Sequence, residues 1–226
     1  TWKLNNCFFH DFSDFFKSGD LIWTSKEEGL KGLKSIAVHP EVQSALVSIN
    51  PTNGEILALV GGYNFKNSQF NRAFQAKPQL GSNFKPFLYA AAFENGFNPA
   101  SIIIDSPLVF EDKNLEEIWR PRNASGKFYG PTRLREALVQ SRNVVSIKLL
   151  QEVSIKSTKN SLEKYGFFKE ELPNDLSLAL GSYGASPLKN AEMFSIFANG
   201  GKKITSYFID KIVLPNGDEI NFSKKK

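Results

Sequence analysis

Between residues 43 and 50, apolar Ala45, Val47 and Ile49 alternate with Ser44 and Ser48. That two-residue period predicts a strand with one covered face. Pro51-Thr52-Asn53-Gly54 follows as a hairpin turn. Residues 55–60 are apolar nearly throughout, so the return strand is expected to be covered on both faces, ending at Gly61-Gly62. A polar connection over 64–80 then leads into Phe87-Leu88-Tyr89-Ala90-Ala91-Ala92-Phe93, a run that predicts a buried helix. Pro86 suits that helix's first turn and Asn95-Gly96 its end. Residues 101–130 are rich in Pro, Asn, Asp and Gly and read as an ordered loop excursion, with Trp119-Arg120-Pro121-Arg122-Asn123 at its centre. Helical spacing returns over 131–140, where Leu134, Ala137 and Leu138 share a face. Ser141-Arg142-Asn143 interrupts it before a second helix over 144–153, and a third covers about 157–165. Ser186 caps a helix over 187–199 that Gly200-Gly201 terminates. A last hairpin joins 207–214 to 219–222 through Pro215-Asn216-Gly217-Asp218. Strands at both ends with helices between define an α+β class, an antiparallel sheet packed with a helical block.

The first forty residues read as a separate segment, which sets domains at 1–40 and 41–226. Phe8, Phe9, Phe12, Phe15 and Phe16 are too regular for a loop and are expected in a core. Lys17-Ser18-Gly19-Asp20 is a turn, Leu21-Ile22-Trp23-Thr24 a short strand, and residues 26–34 a polar linker. Composition adds exclusions. With 41% apolar residues and 20 Phe, the chain of 226 residues folds as a globular protein. Its net charge of +5 is scattered, with no basic stripe and interleaved aromatics, so no nucleic-acid partner is expected. Lys224-Lys225-Lys226 reads as a solvated tail. Cys7 is the single cysteine, which rules out an internal disulfide. His10 and His39 are the only histidines and lack ligand-like partners, so no metal or cofactor is expected. No apolar run approaches the ~20 residues of a membrane span, and no signal peptide opens the chain. Any anchor or export signal is therefore expected outside these residues.

The candidate chemistry lies in Gly81-Ser82-Asn83-Phe84-Lys85-Pro86-Phe87. Residues i and i+3 share one face of a helix, which brings the Lys85 amine beside the Ser82 hydroxyl. A serine needs a base to take its proton, and a lysine serves once burial lowers its pKa. The helix N-terminus adds a dipole that favours negative charge developing on Ser82. Because Pro86 disfavours helical angles in the residue before it, some distortion of Lys85 is expected. Ser-x-x-Lys occurs four times in this chain, against about two expected by chance, so the bare pattern says little. Ser161/Lys164 falls in a polar helical run and reads as a solvated face; Ser186/Lys189 reads as a cap, and Ser223/Lys226 as tail. Only Ser82/Lys85 precedes an apolar run able to desolvate the lysine, behind a glycine that leaves room for a substrate.

Ser141-Arg142-Asn143 lies 59 residues further on, between two helices. A serine there can relay a proton to a leaving group. An asparagine can hold a substrate amide and also hydrogen-bond the lysine. The plainer alternative is that both merely cap the following helix. Ser48-Ile49-Asn50 repeats the pattern on a strand end, which shows how little it says alone.

Taken together, the order strand, hairpin, strand, polar connection, Ser-x-x-Lys helix, long excursion and Ser-x-Asn between helices resembles the penicillin-recognising serine enzymes. Residues 45–62, Phe70-Asn71-Arg72-Ala73, Gly81 to Phe87, Trp119 to Asn123, Gly130-Pro131-Thr132-Arg133-Leu134-Arg135 and Leu178-Ala179-Leu180-Gly181-Ser182 are similar to stretches of class A, bifunctional penicillin-binding proteins. The resemblance covers about 41–222, and the segment before it resembles the end of that family's OB-like inter-domain region. It implies a β-lactamase/transpeptidase-like fold and a D,D-transpeptidase. Ser82 would be the acylated nucleophile, Lys85 its base, Ser141 the proton relay and Asn143 the substrate-amide ligand. Trp119 is a further candidate substrate contact, either lining the cleft or packing beneath it. The implied partners are peptidoglycan stems ending in D-Ala-D-Ala, and β-lactams. The implied location is the periplasmic, outer face of a bacterial inner membrane, in a membrane-anchored parent that also holds a glycosyltransferase domain. One departure is plain: the family's third motif, Lys-Thr-Gly or Lys-Ser-Gly, does not follow Asn143, and Lys17-Ser18-Gly19 precedes the nucleophile, as a decoy turn. The chain alone is accordingly expected to be incomplete for catalysis. Two alternatives stand beside the transpeptidase: a carboxypeptidase or β-lactamase with a deacylating carboxylate such as Glu116 or Glu117, and a non-catalytic binding module.

Overall fold

In the computed structural model the described residues are 17–20, 22–24, 36–38, 42–108 and 119–222. The phenylalanines before residue 17, Cys7, His10, His39, the 26–34 linker, Glu116, Glu117 and the lysine tail lie outside them. The chain divides into two compact units, Thr1–Ser44 and Ala45–Lys226. In the first, strands β1 (Ile22–Thr24) and β2 (Ile36–Val38) pair antiparallel. Lys17-Ser18-Gly19-Asp20 is a turn: the Asp20 amide donates to the Lys17 carbonyl at 3.0 Å, and the Lys17 amide donates to the Asp20 carboxylate at 2.7 Å. Gly19 takes φ +103°, a left-handed angle that suits glycine.

The second unit opens with the expected hairpin, β3 (Leu46–Ile49) against β4 (Ile56–Val60), with a register shift between Ser48 and Ile49. Its turn closes through the Gly54 amide on the Asn50 carbonyl at 2.9 Å. Gly54 is required there, because a Cβ would stand 2.3 Å from the carbonyl oxygen of Thr205. The expectation that β4 is covered on both faces is not met. Leu57 is 61% exposed and Val60 53%. This sheet has two strands among the described residues, and helix α5 (Pro187–Ala198) packs on β3.

The helical block is built around α1 (Lys85–Glu94). Phe87, Leu88, Tyr89, Ala91 and Ala92 are all buried, so the helix is apolar on more than one face. It packs against α2 (Leu134–Val139), α3 (Asn143–Val153), α4 (Ile155–Lys164) and a 3₁₀ turn at Leu176–Leu180 that the sequence pattern did not predict. Phe87 is the centre of an aromatic cluster, with ring centroids 5.1 Å from Phe167, 5.0 Å from Phe194 and 5.1 Å from Phe197.

The excursion after α1 is more regular than its composition predicts. Strands β5 (Ile102–Asp105) and β6 (Gly130–Arg133) pair antiparallel and close it at its base. The helix expected from 131 therefore begins only at Leu134. Pro131 sits in β6, one of two strands in this sheet among the described residues, and proline is tolerated in such edge strands. Ser186 caps α5 as expected, its hydroxyl accepting from the Lys189 amide at 3.2 Å. The final hairpin is β7 (Lys211–Val213) with β8 (Glu219–Asn221).

Because Phe87 is fully buried and packs against four other rings, Phe87→Ala should destabilise the fold by about 3–5 kcal/mol. Chemical denaturation followed by tryptophan fluorescence checks this.

Candidate active site

Ser82 is placed by a backbone clasp upstream of α1. The segment 77–81 runs beside 181–185: the Leu80 amide donates to the Tyr183 carbonyl at 2.9 Å, the Gly81 amide to Gly181 at 3.0 Å, and the Ala185 amide to Pro78 at 3.1 Å. Two glycines let the backbones meet. A Cβ on Gly181 would lie 2.0 Å from the Gly81 oxygen, and one on Gly184 2.9 Å from the Lys77 oxygen. Gly81–Phe84 then forms a 3₁₀ turn that runs straight into α1. The distortion expected at Lys85 is absent. Its φ and ψ are −54° and −43°, ordinary helical values, and it is the preceding residues that tighten into 3₁₀ geometry. Ser82 faces solvent, whereas Phe84 and Lys85 are buried.

The second wall comes from the end of α2. The Ser141 amide donates to the Leu138 carbonyl at 3.1 Å and the Arg142 amide to Ala137 at 2.8 Å. Those two bonds define a Schellman termination, whose left-handed residue is usually glycine. Here it is Ser141, at φ +51°. A side chain in that conformation costs roughly 1–2 kcal/mol. In return, both the hydroxyl and the carbonyl of Ser141 turn toward Lys85.

The Lys85 ammonium nitrogen lies 2.8 Å from the Ser141 carbonyl oxygen, 2.9 Å from Ser141 Oγ and 2.7 Å from Asn143 Oδ1. Its three protons thus find three acceptors, all uncharged. Among the described residues no carboxylate forms an ion pair with it. Burial without a counter-charge lowers its pKa to about 8. Ser141 Oγ lies 3.1 Å from Ser82 Oγ. Among the hydrogen bonds of the described residues, Lys85 therefore reaches Ser82 through Ser141, not directly as the helical spacing implied. The Asn143 amide nitrogen donates to the Arg122 carbonyl at 3.0 Å, leaving its second proton available. The site thus combines an exposed hydroxyl, an intermediate hydroxyl and a buried amine in one hydrogen-bonded run.

The comparisons with known proteins agree on a family. Residues 44–226 match the family described as Penicillin binding protein transpeptidase domain. The chain belongs to this transpeptidase family. It is 45% identical over 205 residues to penicillin-binding protein 1A of Pseudomonas aeruginosa, covering 91% of this chain and 25% of that protein. To penicillin-binding protein 1A of Escherichia coli it is 40% identical over 214 residues, covering 95% of this chain and 25% of the relative. The chain thus spans about a quarter of the length of these curated relatives. The crystal structure of penicillin-binding protein 1A from Haemophilus influenzae superposes with a TM-score of 0.81 at 37% identity, covering 89% of this chain and 30% of that one. The α+β architecture is therefore that of the penicillin-binding transpeptidases.

Trp119 is half-buried and packs against the hydrophobic core, and from the same stretch the Arg122 carbonyl accepts from Asn143. The expectation of a solvated face at Ser161/Lys164 holds only for the lysine. Ser161 is 5% exposed, while Lys164 pairs with Glu94 at 2.8 Å. Sequence reasoning gave no role to Gly181 or Arg122, although both lie in stretches that carried the family resemblance. Among the described residues no cluster of His, Cys, Asp or Glu could hold a metal, and no helix is long and apolar enough to cross a membrane.

Replacing Ser141 by Gly or by Ala removes the same hydroxyl but not the same backbone strain. Ser141→Gly should be more stable than Ser141→Ala by about 1 kcal/mol, because only the glycine is at ease at φ +51°. Paired thermal melts check this.

Proposed function

We propose that the chain is the nucleophile-bearing part of a D,D-transpeptidase that cross-links peptidoglycan stems through a serine acyl-enzyme. The observation that carries the reading is the hydrogen-bonded run from exposed Ser82 through Ser141 to buried Lys85. Supporting it is a solved relative, PonA1 of Mycobacterium tuberculosis in complex with penicillin V, at TM-score 0.68 and 26% identity, covering 80% of this chain and 51% of that one.

In this reading Lys85 acts in its neutral form. The Ser82 oxygen bonds to the carbonyl carbon of the penultimate D-Ala as its proton moves to Ser141 and the Ser141 proton moves to Lys85. Collapse of the tetrahedral intermediate breaks the peptide C–N bond. The departing D-Ala nitrogen takes a proton back along the same path. The amine of a second stem then attacks the Ser82 ester, gives its proton to the base and frees the serine. The second amide proton of Asn143 donates to a carbonyl of the bound stem. A β-lactam acylates Ser82 by the same first step, its ring nitrogen serving as the leaving group. The wider protein, in this reading, is membrane-anchored on the periplasmic face and bifunctional, with an OB-like region ending near residue 40. This stretch holds no Lys-Thr-Gly or Lys-Ser-Gly after Asn143. Missing one oxyanion donor alone slows such reactions by ~10²–10³. The 226-residue chain by itself should therefore label slowly.

A fluorescent penicillin tests the proposal in the full-length protein. Label should attach to Ser82 at one equivalent, and Ser82→Ala should abolish it. A Ser82→Ala protein that still labels overturns the reading in favour of a binding module, and rapid turnover of bound penicillin overturns it in favour of a hydrolase. The pH dependence follows from Lys85. Below about pH 8 the amine carries its proton and cannot accept another, so acylation should rise with pH through about 8 and level off above it. Lys85→Ala should slow acylation by about 10²–10⁴ across that range.

A further inference from the structure

We propose that the buried pair Asp105–Asn123 is the positioning device of the Lys85–Asn143 contact: it caps helix α3 from another loop and so fixes where Asn143 points. The catalytic consequence rests on the transpeptidase reading above; the structural claim does not.

Helix α3 begins without a cap of its own. Its N-cap residue is Arg142, whose side chain makes no cap bond and, as a guanidinium, offers no acceptor. The amide groups of a first helical turn have no partner within the helix. The acceptor comes instead from Asn123, 21 residues upstream, whose Oδ1 takes the Val144 amide at 3.2 Å. The orientation of Asn123 is dictated. Its Nδ2 lies 3.0 and 2.9 Å from the two Asp105 carboxylate oxygens and 2.9 Å from the Lys127 carbonyl. Only a donor can face three oxygens, so the amide nitrogen must point there and Oδ1 must point at Val144. Asp105 is 1% exposed and Asn123 4%. The carboxylate is therefore sealed against the one group that orients the cap.

The neighbour of Asn123 completes the hold. The Arg122 carbonyl accepts from Asn143 Nδ2 at 3.0 Å while Asn143 Oδ1 accepts from Lys85 at 2.7 Å. Two consecutive loop residues, Arg122 and Asn123, thus grip two consecutive helix residues, Asn143 and Val144. The end of β5 is tied to α3 a second time, because Lys148 donates to the Ile104 carbonyl and to Ser106 Oγ, both at 2.7 Å, on either side of Asp105. If the pair is broken, α3 loses its external cap and the Arg122 carbonyl loses its fixed place. Asn143 is then free to turn away from an amine that has few other acceptors.

The test uses the full-length protein with Asn123→Ala, with Asp105→Asn as the milder variant that preserves volume, and with the exchange Asp105→Asn/Asn123→Asp. Two readouts are needed: the pH profile of penicillin acylation, and hydrogen exchange by mass spectrometry over residues 141–150. In Asn123→Ala, exchange should quicken in that segment and remain unchanged in α5. Acylation should fall about 10- to 10²-fold, the cost of a misplaced catalytic group. The midpoint of its rising limb should move above 8 as water reaches Lys85. Asp105→Asn should move both readouts the same way by less, and serves where Asn123→Ala does not fold. The exchanged pair restores the amide–carboxylate bond and an acceptor for the Val144 amide but sets a carboxylate against the Lys127 carbonyl, so it should recover only part of the rate. A folded Asn123→Ala or Asp105→Asn protein with the wild-type acylation profile overturns the proposal, as does quickened exchange spread evenly over the domain. Should the wild type itself fail to label at Ser82, the transpeptidase reading falls. The exchange data then decide the positioning claim alone: quickening confined to 141–150 supports it, and none overturns it.

Discussion

The buried amine of Lys85 constrains this domain. Lys85 is 1% exposed, on a helix whose neighbouring residues are packed on several sides by the core. An ammonium group taken out of water must either find a partner for each proton or lose its charge. The protein provides for both. Three oxygens receive the protons when the group is charged, and the absence of a carboxylate keeps the neutral form within reach near pH 8.

Those three oxygens explain much of the architecture. Two belong to Ser141 and one to Asn143, so the end of α2 and the start of α3 must both stop within hydrogen-bonding distance of Lys85 on α1. A glycine at position 141 would end α2 with less strain, but it would supply the carbonyl without the hydroxyl. The strain at Ser141 thus accompanies its hydrogen bond to Lys85, and it is held by the two Schellman bonds behind it. On the opposite side, Ser82 is held by backbone contacts with the 181–185 segment, at glycines where no side chain fits. Aromatic rings around the buried Phe87, from buried Phe167 to half-exposed Phe197, brace α1.

Much of this was legible in the chain. The β3–β4 hairpin, α1, the break at Ser141-Arg142-Asn143, α5 and the last hairpin follow from periodicity and from turn and cap residues, which are local properties. The Ser82/Lys85 and Ser141/Asn143 pairs stood out because one lay before an apolar run and the other between helices. The failures were non-local. The three isoleucines of β5 are a strand signal, but they sit in a stretch whose Pro, Asn, Asp and Gly read as loop, and the partner β6 lies beyond the excursion. Pro131 disguised β6 as a helix start. The exposure of Leu57 could not be read either, since an apolar strand looks the same whether or not a neighbour covers it. The helical spacing suggested a direct Ser82–Lys85 contact. The hydroxyl that stands between them comes from a residue 59 positions away.

The choice of asparagine and serine as partners of Lys85, in place of aspartate, follows from the electrostatics. A carboxylate at position 143 would fill nearly the same volume and accept the same hydrogen bond. It would also attract the proton, lifting the amine from about 8 back toward its ordinary value near 10.4. At neutral pH the group would then be protonated almost always and unable to take a proton from Ser82. Neutral acceptors hold the geometry without fixing the charge. They also leave the charged form of Lys85 without a counter-ion among the described residues, so the proton is held less firmly than it would be beside a carboxylate. The same reasoning accounts for where the buried carboxylate does occur. Asp105 is joined to Asn123, and its influence reaches Lys85 through two amides and a helix start, as position and not as charge.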